Sequence, residues 1–127
     1  LDSSVVRRAS GASRCYREVP FSMVRGETIV EGKMDMVFVE DGELVVVDYK
    51  TDAEPPGGFE ALAERYGRQA LAYGVAAEAT TGIPLKEVVL LFLSPETPVE
   101  MSVEMGSTRA ERESALDRAL EEARAGA

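Results

Sequence analysis

The chain has 127 residues, a formal net charge of −9, no histidine and a single cysteine, Cys15. This length suits one domain with its own hydrophobic core, covering residues 1–127. The composition excludes a serine–histidine–acid hydrolase, a histidine metal site, an internal disulfide framework and a cysteine-ligated zinc or iron–sulfur site. The negative charge argues against a domain that holds nucleic acid by its own surface field, unless cations or a neighbouring domain offset the repulsion.

The ends and the apolar runs of the sequence bear on where the protein works. The chain begins at Leu1 with no signal segment, and its longest apolar run, residues 88–93, is too short to span a membrane. One cysteine fits a reducing compartment. We therefore expect a cytoplasmic protein without membrane contact, and we interpret the chain as a piece of a larger one.

The first half of the chain predicts one short helix and three strands. Residues 3–13 form a weak helical pattern, and residues 15–24 form a strand in which Pro20 indicates an edge position. A turn at 25–27 leads to strands 28–39 and 43–49. Gly32 interrupts the second strand and indicates either a bulge or a close backbone approach.

The second half predicts a long helix, two strands and a last helix. Residues 52–58 form a proline- and glycine-rich loop, and a helix over 59–81 is ended by Gly82 and Pro84. Strands follow at 87–93 and 99–105, and a capping box of Thr108 and Glu111 opens the final helix. We expect the buried positions of the two helices to be Leu62, Tyr66, Ala70, Tyr73 and Ala77, then Leu116, Ala119, Leu120 and Ala123.

This order predicts an α/β fold with a mixed five-stranded sheet flanked by helices. Asp41-Gly42 between apolar runs is a strong signal for a two-residue hairpin turn. Counting outward from that turn pairs 40 with 43, 38 with 45 and 35 with 48. Asp35 and Asp48 would then lie opposite each other, about 5 Å apart at their Cβ atoms, and Lys50 would share their face because strand side chains alternate.

The two faces of this hairpin differ in composition. By the same count, one face is a core face, and the other is apolar near the turn and charged at its open end. The core face carries Met34, Met36, Phe38, Val45, Val47 and Tyr49; the site face carries Val37, Val39, Leu44 and Val46.

Two like charges in opposed positions destabilise a sheet. Either one carboxylate takes up a proton or a cation lies between the two. Magnesium suits the second case, since it prefers oxygen ligands and is often held by one or two carboxylates. The alternative, from the spacing alone, is a solvated acidic pair beside a lysine.

Four motifs occur in an order that resembles a known family. They are residues 17–21 (Arg-Glu-Val-Pro-Phe), 32–35 (Gly-Lys-Met-Asp), 47–52 (Val-Asp-Tyr-Lys-Thr-Asp) and 66–73 with Tyr66, Gln69 and Tyr73. Over residues 15–95 they resemble the RecB-type nuclease domain of the PD-(D/E)xK superfamily. The likeness is greatest to the carboxy-terminal domain of AddA/RecB-type (UvrD-like) helicase–nucleases, which have a restriction-endonuclease-like αβββαβ core.

The resemblance implies a metal-dependent DNA nuclease, acting as an exonuclease in double-strand-break repair and recombination. It makes Asp35, Asp48 and the backbone carbonyl of Tyr49 ligands of Mg²⁺, with Mn²⁺ as a substitute. Lys50 would act on the attacking water and the phosphate, and Gln69, Tyr73 and Tyr66 would shape the site and contact the substrate. The implied partners are a single DNA strand, helicase motor domains of the same chain and a partner subunit.

The sequence also departs from that family pattern. Many members carry a histidine or an acid on a helix before the first strand, whereas the nearest upstream acids here are Asp2 and Glu18. We interpret Glu18 as a structural partner of Arg17. Lys33 either offsets the charge of Asp35 and Asp48 or points to solvent. A ligand missing upstream would leave this piece incomplete. The alternatives to a nuclease are a non-catalytic nuclease-like scaffold or strand guide, and an unrelated α/β binding domain.

Overall fold

Five strands and four helices make up the part of the chain that the computed structural model describes, residues 3–103 and 105–126. In chain order they are α1 (Ser4–Ser10), β1 (Cys15–Arg25), β2 (Thr28–Glu40), β3 (Glu43–Lys50), α2 (Phe59–Arg65), α3 (Gly67–Thr81), β4 (Leu85–Phe92), β5 (Val99–Val103) and α4 (Arg109–Ala125). The strands lie in the order β1-β2-β3-β4-β5. Only β3 and β4 are parallel, so the predicted mixed α/β sheet is confirmed.

The predicted hairpin register is confirmed up to the point where the ladder stops. Asp41 and Gly42 have φ values of 52° and 78°, as a two-residue turn with two left-handed positions requires. Glu40 pairs with Glu43, and pairing continues to Met36 with Val47. Position 35 therefore lies one residue beyond the last residue of β2 that pairs with β3. Strand β1 is at the edge of the sheet, which accommodates Pro20.

Strands β1 and β2 continue together well beyond the rest of the sheet. Their pairing extends from Cys15 with Phe38 to Arg25 with Thr28, so residues 19–34 form a two-stranded arm. Gly32 pairs in regular register with Phe21, which excludes a bulge there. A Cβ on Gly32 would lie 3.1 Å from the Phe21 ring, so the close backbone approach is confirmed.

The face alternation of β2 reverses at the base of this arm. Met36 packs in the cluster that contacts α1, whereas Met34 packs with Tyr73 of α3, so the prediction that both methionines share one face was wrong. Opposite the reversal, Glu18 has a left-handed backbone with φ 51°. This conformation is uncommon for a residue with a Cβ and breaks the strand alternation.

Helices cover both faces of the sheet around its central strand. Helix α1 packs on Met36, Phe38, Val45, Val47, Val89 and Leu91. Helix α3 packs on the other face, against Val37, Leu44, Val46 and Val88. Strand β3 lies between β2 and β4 and is covered by both helices, so a side chain at its centre has little access to water.

Two helix predictions were wrong in detail. The helix over 59–81 divides at Tyr66, whose φ and ψ are −89° and 3°; Gly67 follows, and glycine weakens a helix. In α4, Leu116 is buried and Ala119 and Leu120 are half-buried, but Ala123 is exposed, because the first half of the helix makes the buried contacts.

The predicted capping box of α4 is present in modified form. Thr108 Oγ1 accepts the Glu111 N–H at 3.1 Å, while the Glu111 carboxylate accepts from the Ser107 N–H. No helix in the described ranges is long and apolar enough to cross a bilayer.

Candidate active site

Asp48 is a buried carboxylate on the central strand of the sheet. It pairs with Leu90 of β4 in the parallel ladder and is 4% exposed. Burial, together with the adjacent Asp35 carboxylate, raises the pKa of Asp48 to about 6 against the opposing effect of Lys50. A carboxylate in this position is therefore poised to share its charge with a proton or a cation.

Asp35 and Asp48 lie close together at the open end of the hairpin, beyond the last residues that pair β2 with β3. Its Oδ2 accepts the Tyr49 N–H at 2.7 Å, so a side chain satisfies a backbone donor beyond the last paired residues. The structure therefore brings the two acids together, as the sequence predicts, and adds a backbone contact that fixes Asp35.

One oxygen of this acid pair lacks a hydrogen-bond partner. Asp48 Oδ2 is buried and accepts no hydrogen bond, and Lys50 Nζ lies 3.0 Å from it as an ion pair. The single positive charge of Lys50 faces the two carboxylates of Asp48 and Asp35, so the group keeps a net negative charge that a metal cation or a proton can neutralise. Within the described residues no cluster of three or more acidic or cysteine ligands exists, so a metal here would have two carboxylates plus backbone or water oxygens. Such a donor set fits Mg²⁺.

The Lys50 ammonium is held by three neighbours. Besides Asp48, it donates to Gln69 Oε1 at 2.6 Å. It also lies 3.8 Å from the centroid of the Tyr66 ring, within the range of a cation–π contact. These contacts place the cation beside the acid pair with little rotamer freedom.

Tyr66 contacts the loop after β3 as well as the lysine. Its hydroxyl donates to the Asp52 carboxylate, with oxygen–oxygen distances of 3.0 and 3.2 Å, and this hydrogen bond raises the pKa of Tyr66. The Asp52 carbonyl accepts from Ser94 Oγ at 2.6 Å. Asp52 thus belongs to the support of the site, which sequence reasoning missed; its position two residues after Lys50 was the available signal.

Tyr73 lies behind the acid pair. It is buried on α3, and burial followed by the charges of Asp48 and Asp35 raises its pKa to about 12. The phenol is therefore neutral and within electrostatic reach of both acids.

The other acids and cations of the motifs lie elsewhere. Glu18 and Lys33 form an exposed ion pair at 3.2 Å, so neither joins the acid pair. Arg17 lies 3.5 Å from the Tyr49 hydroxyl rather than pairing with Glu18. Asp2 is outside the described residues.

A family comparison covers nearly the whole chain. The model described as the PD-(D/E)XK nuclease superfamily matches residues 3–127. The crystal structure of SSO0001 is similar in fold, with a TM-score of 0.54, 15% sequence identity, and coverage of 91% of this chain and 55% of that one.

Curated relatives share more sequence identity over the same region. An ATP-dependent helicase/nuclease subunit of Acetivibrio thermocellus is 36% identical over 103 residues, which cover 68% of this chain and 8% of that protein. The proteins of the same name from Desulforudis audaxviator and Clostridium kluyveri are 38% and 33% identical, over 68% and 80% of this chain. The match covers only 8% or 9% of these relatives' lengths.

Proposed function

The chain belongs to the PD-(D/E)XK nuclease superfamily, and on that premise we propose that it hydrolyses DNA phosphodiester bonds with the help of a divalent metal ion. The observation that carries this proposal is the buried Asp48 oxygen without a hydrogen-bond partner, beside Asp35 and Lys50. Asp35, Asp48 and the backbone carbonyl of Tyr49 would hold the ion, which we take to be Mg²⁺, with Mn²⁺ as a substitute.

A metal bound there would polarise a phosphate oxygen and lower the pKa of a bound water. Residues of the chain would hold the ion and stabilise the negative charge that develops on the phosphate. Asp48 and Asp35 together supply the negative charge that would hold the ion, and Asp35 is fixed by the Tyr49 N–H. Lys50 places its ammonium where negative charge develops on the phosphate during attack. Water attacks phosphorus, the ester bond to the leaving oxygen breaks, and that oxygen ends with a proton.

Three further side chains have separate roles in this proposal. Tyr66 positions Lys50 through its ring and anchors the following loop through Asp52. Gln69 orients the same ammonium and contacts the substrate strand. Tyr73 lines the back of the site as a neutral phenol.

The relatives suggest a larger setting for this activity. They are named helicase/nuclease subunits and are about twelve times longer than the matched segment. We propose that the domain works in the cytoplasm as an exonuclease in double-strand-break repair. Motor domains and a partner subunit would feed it one DNA strand and supply most of the DNA affinity that a chain of net charge −9 lacks.

A non-catalytic nuclease-like module is the second candidate. It is favoured by one observation, that the described residues hold no third acidic ligand near the pair. Such a module would guide or scaffold DNA without cutting it.

Nucleotide release from linear single-stranded DNA tests the proposal, with Mg²⁺ or Mn²⁺, for the protein and its Asp48→Ala variant. We expect metal-dependent release that the substitution abolishes, while Glu121→Ala, an exposed acid on α4, releases nucleotides normally. Metal-independent release, or release that survives Asp48→Ala, would contradict it. If nothing is released, Mn²⁺ binding that depends on Asp48 indicates an incomplete enzyme, and absence of Mn²⁺ binding indicates the scaffold.

A further inference from the structure

A cavity on the side of the arm is lined by Gln69 and Tyr73, two residues that also neighbour the candidate active site. It has a volume of about 300 Å³ and lies between the arm, α3 and α4. Its walls are Phe21 from the arm and Gln69 and Tyr73 from α3, and its floor includes Leu116 and Leu120 of α4. Phe21 is half-buried and Gln69 is exposed, so the cavity opens to solvent on that side. We refer to it as the side cavity.

Two walls of the side cavity are also walls of the candidate active site. Gln69 bonds to Lys50 at 2.6 Å, and the Tyr73 hydroxyl lies within reach of the charges of Asp48 and Asp35. A group in the side cavity and a phosphate at the acid pair would therefore share Gln69 and Tyr73 as neighbours. A nucleotide can occupy both places, since its base and phosphate belong to the same unit.

The lining has the composition of a base-binding site. Phe21 and Tyr73 contact edge to face, with centroids 5.4 Å apart and planes at 84°. The aliphatic floor suits the apolar faces of a nucleobase. Arg68 lines the α3 wall and Glu31 the arm wall, so a phosphate is attracted to the first and repelled by the second.

The arm needs a glycine to build this cavity. A Cβ at position 32 would lie 3.1 Å from the Phe21 ring and 3.5 Å from the Tyr73 ring. Gly32 thereby lets Phe21 lie flat against the arm and contact Tyr73. Phe21 and Gly32 also border a second, open groove across the arm. The Phe21 ring therefore lies between this groove and the side cavity.

We propose that the side cavity receives one unpaired nucleobase of the strand whose phosphate lies at the acid pair. Phe21 is the aromatic contact of that base, and Arg68 holds a neighbouring phosphate. This inference rests on the proposed function and adds to it a site and the state of the base. A base in a duplex is stacked and paired, so it enters a lateral cavity only after leaving the helix.

A fluorescent base analogue, 2-aminopurine, tests this proposal without relying on cleavage. It is placed at successive positions of a single-stranded oligonucleotide, which is mixed with the protein and Ca²⁺, so that a cation with a preference for oxygen ligands offsets the charge of the acid pair and the phosphate can approach. We expect a distinct change in fluorescence at one position, and none when the same position is paired in a duplex. Removing that one base should weaken binding about tenfold, a common size for a base–aromatic contact.

Protein variants locate the signal. Phe21→Leu should abolish it and make binding insensitive to removal of the base. Arg68→Gln should weaken binding of every sequence equally and reduce the salt dependence by about one ion. Tyr16→Leu removes an exposed aromatic side chain from the same strand and should change nothing. If Phe21→Leu lowers the thermal stability, removing the base from the oligonucleotide still tests the cavity in the unaltered protein.

Several results would overturn the side-cavity proposal. They are an equal signal at all positions, a signal that persists in Phe21→Leu, duplex and single strand giving the same signal, or no binding at all. Its failure is distinct from failure of the nuclease proposal. If the protein cuts DNA but the fluorescence signal is equal at all positions, only the side-cavity proposal fails. If the signal is position-specific but there is neither cleavage nor Asp48-dependent Mn²⁺ binding, only the nuclease proposal fails.

Discussion

Two buried carboxylates in this molecule, Glu78 and Asp48, have opposite surroundings. Glu78 on α3 is 1% exposed, and its two oxygens accept from Arg112 Nε and Nη2 at 2.7 Å and from the Leu85 N–H at 3.0 Å. Burial alone would raise its pKa, but these bonds outweigh burial and lower it. Asp48 is 4% exposed, has one oxygen without a hydrogen bond, and has a pKa raised to about 6.

The contrast separates a carboxylate that holds the fold from one that is kept available. The bonds of Glu78 tie α4 to α3 and to the start of β4, and leave no oxygen for a ligand. One oxygen of Asp48, in contrast, accepts no hydrogen bond, although the Lys50 ammonium is close to it. Burial alone therefore does not mark a carboxylate as a ligand-binding group in this molecule. The two acids differ because only Asp48 has an oxygen without a hydrogen bond.

The strongest test of this contrast is Asp48→Asn. We expect cleavage to fall by more than a hundredfold, because metal stabilisation of the transition state amounts to several kcal/mol. The metal-free protein should at the same time lose little stability, because the substitution removes the repulsion from Asp35 together with the ion pair to Lys50. Activity assays and urea unfolding measure the two. A clear loss of stability would place Asp48 with Glu78 as a structural acid.

The converse substitution is Arg112→Met. It leaves the Glu78 carboxylate buried without its cation, so we expect the free energy of unfolding to fall by about 3–5 kcal/mol. The metal affinity of the molecules that remain folded should not change. Urea unfolding and Mn²⁺ titration at low temperature check both. Glu78→Gln with Arg112→Met should recover part of the loss, and an equal loss in the double variant contradicts the ion-pair explanation.

Two substitutions at Tyr66 distinguish the contribution of its ring from that of its hydroxyl. Tyr66→Leu removes the ring beneath Lys50, and we expect kcat to fall about tenfold, because a partly desolvated cation–π contact contributes about 1–2 kcal/mol. Tyr66→Phe keeps the ring and loses only the bond to Asp52, so its loss should be smaller and matched by Asp52→Asn. The two constants kcat and KM are measured separately for each variant. A rise in KM alone would return Tyr66 to the substrate-binding role that the sequence predicted.

Acid should affect the fold through Glu78 with a defined sign. Its pKa is lowered on folding, so its contribution to stability is complete above its ordinary pKa and is lost as the pH falls through the folded value. We expect the stability to decline below about pH 4.5, and the decline to be smaller in Glu78→Gln. Thermal unfolding between pH 3 and 7 measures this. Identical pH profiles for the two proteins would show that other acids dominate.

The sequence predicted the sheet and the acid pair because their signals are local. Asp41-Gly42 determines the turn, and counting along two strands then brings Asp35 and Asp48 together. The count ceases to hold where the ladder ends. Beyond that point Met34 lies on the other face, and Glu18 on the neighbouring strand is left-handed, a conformation for which glutamate carries no sequence signal.

Long-range polar contacts were also beyond the sequence. Arg112 looks like a solvated helix residue, yet it is buried against Glu78, 34 positions away. Its place one turn before Leu116 on the packed face of α4 was the only indication. Asp52 looks like a plain loop residue in the sequence, because its bond to Tyr66 depends on how the α2–α3 bend meets the loop.

The Asp35–Tyr49 contact makes one backbone amide a spectroscopic reporter. The Tyr49 N–H is bonded to a carboxylate oxygen at the acid pair rather than to a carbonyl of the neighbouring strand. Its proton resonance therefore depends on how much negative charge that oxygen retains. In an ¹⁵N-labelled sample, occupation of the site by a diamagnetic ion should move this one cross-peak strongly, while the amides of the ladder between Met36 and Glu40 stay in place.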